Sequence, residues 1–159
     1  MKTNTTWWRI VAICMVVAVC TVATGQTNTS QIITRVQSES LRDLMREMDF
    51  QASIDSDGDI LWHIGGIKTF IIPDDAGRSL MFLVAFRGEG SLSKANTWNE
   101  RFKFSRCSVR EGSMYLRADL DLDGGITRER LKDWIGTCVA LTFKFVSFLD
   151  EESDTRRVL

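Results

Sequence analysis

Ser91–Thr127, SLSKANTWNERFKFSRCSVREGSMYLRADLDLDGGIT, is the stretch whose reading decides the fold. Leu92, Ala95, Trp98 and Phe102 recur at helical spacing, which predicts a short amphipathic helix. Arg110-Glu111-Gly112-Ser113 reads as a turn. From Met114 the period drops to two: Met114, Leu116, Ala118, Leu120 and Leu122 fall on one side, Tyr115, Arg117, Asp119 and Asp121 on the other. That alternation predicts a half-buried strand. Gly124-Gly125 ends it, and Thr127 is a candidate N-cap for a following helix.

Upstream, Ser38 or Ser40 opens a helix whose stripe is Leu41, Leu44, Met45 and Met48. Strands are expected at Phe50–Ile54, Ile60–Ile64 and Ile67–Ile72, separated by the turn residues of Asp55–Asp59 and Gly65-Gly66. Leu80–Phe86 is apolar without alternation, which predicts a strand covered on both faces. Downstream, Leu131, Trp134, Ile135, Cys138, Leu141, Thr142, Phe145 and Phe148 line one side of a long helix ending near Leu149. The order α-β-β-β-β-α-β-β-α, with strands grouped, predicts an α+β domain: an antiparallel sheet with helices packed on one face.

Composition bounds the function without choosing it. The chain has 159 residues, enough for one domain with a core. A formal charge of −1 offers no electrostatic case for nucleic acid. Residues 1–25 read as a signal peptide: Lys2 and Arg9, an uncharged apolar run from Ile10 to Ala23, then Ala23-Thr24-Gly25 before Gln26. A retained anchor is the alternative, with Trp7 and Trp8 at the membrane interface. Cleavage would take Lys2 and Arg9 but no acid, moving the charge from −1 to −3. It predicts a periplasmic or secreted protein, free of the membrane. The chain then divides into 26–37 as a flexible lead-in, 38–149 as the domain and 150–159 as a charged, frayed tail. Cys14 and Cys20 leave with the signal, while Cys107 and Cys138 remain. These two either form a disulfide, which export would allow, or stay as separate buried thiols.

Three carrying pieces, in this order, resemble the YbjN family of bacterial proteins: Leu41-Arg42-Asp43-Leu44 followed by Phe50, then Asn96-Thr97-Trp98-Asn99, then Leu120–Thr127 around Gly124-Gly125. The resemblance runs from about Ser38 to Phe148. It implies a fold like that of type III secretion chaperones and a sensory-transduction-regulator label without defined chemistry.

Site chemistry is sparse. Asp119–Ile126 imitates the start of a calcium-binding EF-hand loop, but Arg130 stands where the bidentate carboxylate belongs, and the leucines continue a strand. The single histidine, His63, has no cysteine or acid at ligand spacing for a metal, and with one histidine in the chain little supports a Ser-His or Cys-His site. No metal or cofactor is expected. Asn96 and Asn99 are poor helix formers. They form either a polar recognition patch beside Trp98 or side-chain bonds to neighbouring backbone. Asn96, Trp98, Asn99, Gly124 and Gly125 are therefore candidate interaction or structural residues. The reading is an exported, non-catalytic module that binds another protein. The alternative is a small enzyme or ligand-binding protein with a pocket scattered along the chain. A deep polar pocket holding His63 and an acid would favour the alternative; an open apolar surface would favour the module.

Overall fold

A computed structural model describes residues 32–88 and 90–157. The signal segment, its cleavage site and residues 26–31 of the lead-in lie outside these residues. The elements run β1 (Ile32–Ile33), α1 (Ser38–Glu47), β2 (Ser53–Ile54), β3 (Ile60–Ile64), β4 (Ile67–Pro73), β5 (Ser79–Arg87), α2 (Leu92–Arg101), β6 (Arg106–Arg110), β7 (Ser113–Asp121), β8 (Ile126–Thr127) and α3 (Arg128–Arg157). Apart from the short β1–β8 pair, this is the expected order.

Six strands form one antiparallel sheet in the order β2-β3-β4-β5-β7-β6. Its spine is the β5–β7 ladder, where Leu80 faces Leu120, Phe82 faces Ala118 and Val84 faces Leu116. These six side chains are buried, together with Ile60, Trp62, Ile64, Thr69 and Ile71 on the same face. One core cluster joins them to Leu41, Leu44 and Met45 of α1, to Ala95 and Trp98 of α2, and to the apolar side of α3 from Leu131 to Leu149. The helices therefore cover one face of the sheet, as the grouping of strands predicts.

Four expectations change. Leu80–Phe86 is covered on one face only: Leu80, Phe82 and Val84 are buried, while Met81 and Leu83 are half-exposed and Ala85 is exposed. The first edge strand shrinks to Ser53–Ile54, because Asp49 takes a positive φ of 63° and Ala52 N–H bonds back to the Phe50 carbonyl. The lead-in is held from Ile32 onward. β1 pairs with β8, Val36 is buried, and Val36 N–H donates to the Gly77 carbonyl at 2.8 Å. The last helix passes Leu149 and runs to Arg157, so most of the tail is helical.

Candidate interaction surface

α2 begins at Ser91, whose hydroxyl accepts from Lys94 N–H at 3.3 Å. Its buried side is Lys94, Ala95 and Trp98, whereas Leu92 is exposed. Trp98 is fully buried, stacks edge-on against Phe145 and Phe148, and donates its indole N–H to Ser105 Oγ at 3.1 Å. Asn99 reaches the edge strand. Its amide donates to the Cys107 carbonyl at 2.9 Å and accepts from Cys107 N–H at 2.7 Å. Both polar groups of one β6 residue are thus taken by a side chain, so Asn99 belongs to the backbone-bonding reading. Asn96 points elsewhere and is exposed.

The glycines lie at a separate joint. Gly124 and Gly125 both hold positive φ, 79° and 85°, between β7 and β8. Gly125 N–H bonds to the Leu122 carbonyl, and a Cβ on Gly125 would come within 2.2 Å of Ile32 Cγ2. Only glycine allows β1 to lie this close. Thr127 caps α3 by accepting from Arg130 N–H at 3.1 Å. Arg130 in turn pairs with Asp133 at 2.7 Å, and Asp119 pairs with Arg106 at 3.1 Å. The acidic loop is a strand, a turn and a helix start, as its alternation predicts. Trp98 and Asn99 build one structural joint and Gly124 and Gly125 another, Asn96 stands apart from both, and the five do not converge on one site.

His63 is exposed on the uncovered side of β3, opposite Lys68 in the register. A deep histidine pocket is therefore not how this side chain is used. Cys107 and Cys138 are free, buried thiols. Burial pushes the Cys107 thiol up to about 11 and raises Cys138 as well, so both stay protonated and weakly nucleophilic at neutral pH. An open cleft of about 710 Å³ lies between residues 35–40 and 73–77. The carboxylate of Asp74 beside it is engaged by the N–H groups of Arg78 and Ser79.

What the sequence motifs miss is the outer face of the sheet. Strand register places Leu61, Phe70, Leu83, Arg117 and Arg106 in one row across five strands, and Ile72, Met81 and Asp119 in the next. The apolar members of both rows are only half-buried. No described helix packs on them. Arg117 follows Leu83 in the row, and its Nε is buried without a hydrogen-bond partner. Lys68 lies 4.9 Å over the Phe70 ring. The signal for this surface is the unalternating run Leu80–Phe86, whose second set of apolar residues no described element covers.

A six-stranded antiparallel sheet with three helices on one face and a half-apolar opposite face is an α+β scaffold built around a surface. Residues 37–151 match the model of the YbjN family, described as "Putative bacterial sensory transduction regulator", and the chain belongs to that family. The crystal structure of YbjN from E. coli superposes with a TM-score of 0.58 at 11% identity, covering 80% of this chain and 96% of that one. The HopA1–SchA chaperone–effector complex gives a TM-score of 0.47 at 14% identity, covering 64% of this chain and 85% of that one. No curated protein matches the chain.

Proposed function

We propose that this chain is a non-catalytic module that binds another protein through the outer face of its sheet. The observation that carries the reading is the Leu61–Phe70–Leu83 row, flanked by Ile72 and Met81 and met by no described helix. Contiguous apolar surface left half-exposed in this way is a candidate interaction site in soluble proteins. Arg117, next to Leu83 in the row, supplies a charged group that a partner would satisfy. A photo-crosslinking side chain placed at Leu83 should capture a discrete partner in the cell, and Phe70→Asp should abolish the adduct. Capture of the same proteins from Ser147, on the exposed side of α3, would overturn the assignment. An adduct of twice the chain's mass would identify the occupant as a second copy.

We also propose that the module works outside the cytoplasm, on the strength of Lys2, Arg9, the apolar run Ile10–Ala23 and the small residues before Gln26. N-terminal sequencing of the native protein should begin at or near Gln26. An intact Met1 on membrane-bound material would mean a retained anchor.

A further inference from the structure

A second surface lies away from the sheet face, where α2 runs into β6. α2 ends at Arg101, with Phe102 as its C-cap, and the chain then passes through Lys103, Phe104 and Ser105 before β6 begins at Arg106. Phe104 takes a φ of +65° and leaves its side chain 81% exposed. Neither choice serves the fold. A bulky residue in the left-handed region costs on the order of 1–3 kcal/mol, and an exposed phenylalanine recovers none of that by burial.

Phe104 stands between two openings. On one side is a cleft of about 360 Å³ lined by Asp119, Arg130, Asp133 and Trp134 among others. On the other is a cleft of about 430 Å³. The second has an unusual chemistry. Phe102, Phe104 and Leu141 give it an apolar lining, Arg101, Lys103 and Lys144 line it as well, and among the described residues no carboxylate does. Arg101 and Lys144 are both held over the Phe102 ring, at 5.3 and 4.7 Å from its centroid. Arg101 has Glu151 at 4.0 Å. Among the described residues, neither Lys103 nor Lys144 has an ion-pair partner. Like charges gathered at one cleft repel each other unless an anion joins them.

We infer that the Phe102–Phe104–Leu141 cleft is a docking site for an acidic protein segment that carries one bulky apolar side chain between carboxylates. The apolar side chain lies against Phe102 and Leu141, and the flanking carboxylates meet Lys103, Lys144 and Arg101. The cleft is open, and Phe104 projects beyond it, so the occupant must be large enough to cover the outer side of that ring. A segment of a larger chain meets this requirement, and a small anion lodged in the cleft does not. The site is distinct from the sheet face, and either can fail without the other.

The test is selection of random dodecapeptides displayed on phage against the full-length chain. Enriched peptides should share an aromatic or large aliphatic residue flanked by Asp or Glu, and should bind more weakly as salt rises. Lys103→Glu with Lys144→Glu should cut their affinity tenfold or more. Phe104→Gly should also cut affinity, yet raise Tm by about 1–4 °C, because glycine accepts the left-handed backbone without strain. That opposition separates a binding residue from a packing one. No enrichment, a basic or neutral consensus, or undiminished binding by the glutamate variant would overturn the inference. So would a fall in Tm for Phe104→Gly. Sedimentation with phosphatidylglycerol vesicles, lost in the same glutamate variant and without peptide enrichment, would assign the patch to a lipid surface instead.

Discussion

Asn99 does with one side chain what a further strand would do with its backbone. Its amide meets both the N–H and the carbonyl of Cys107 on the outer edge of β6. Replacing it with alanine removes two bonds, each worth about 0.5–1.5 kcal/mol net. Asn99→Ala should therefore lower Tm by about 2–12 °C in a thermal melt. Asn96, three residues earlier and exposed, should tolerate alanine within about 0.5 kcal/mol. Equal effects of the two substitutions would show that the asparagines act as a pair. The sequence marks both as misplaced in a helix, and nothing in it says which one reaches the sheet. That depends on the rotation of α2 about Trp98, which is set by Phe145 and Phe148 some fifty residues downstream. Phe104 is a harder case, since no feature of Phe-Lys-Phe-Ser signals a left-handed backbone.

α3 is the element most readable in advance. Its apolar stripe, its cap at Thr127 and its Gly-Gly approach all stand where a 3.6-residue period and capping chemistry place them. The pairing of β8, just before it, with the lead-in is not readable, because Ile32 and Ile33 form too short a strand to announce itself. The contact makes a sharp prediction. Gly125→Ala forces a Cβ into Ile32 at a φ of 85°, so it should destabilise more than Gly124→Ala, where nothing lies within 4 Å of the added carbon. About 1 kcal/mol is expected from the backbone alone at either position. Ile32→Ala should recover the excess loss at Gly125 and leave the Gly124 variant unchanged. Matching losses at the two glycines would mean that β1 does not lie against this turn.

Across the molecule, one face of the sheet holds the core and the other is the proposed recognition face. Phe82 and Leu83 are neighbours on β5, yet one is fully buried and the other half-exposed. Phe82→Ala should cost about 3–5 kcal/mol, the usual range for emptying an aromatic from a core. Leu83→Asp should shift Tm by only a few degrees while removing the captured partner. If Leu83→Asp unfolds the chain, the outer face is a second core and the proposed module is wrong. The architecture is legible from the grouping of strands, and the inner face from the alternation of Met114–Leu122. The bare outer face is not legible, for a physical reason. An apolar run such as Leu80–Phe86 looks the same whether its second side is met by the chain's own helices or by another molecule. Only the side on which the crossing helices lie distinguishes the two cases.

A sheet whose outer apolar side no described element covers is a hazard, since such sheets can grow strand by strand into fibrils. Here lateral growth is obstructed at both flanks. On one flank the outermost strand, Ser53–Ile54, is too short to template a newcomer. On the other, Asn99 already occupies the polar groups of Cys107. Whatever approaches must come from above the plane of the strands, bringing its own folded surface or helix. The asparagine that looks misplaced in α2 thus helps keep a sticky sheet from becoming an endless one.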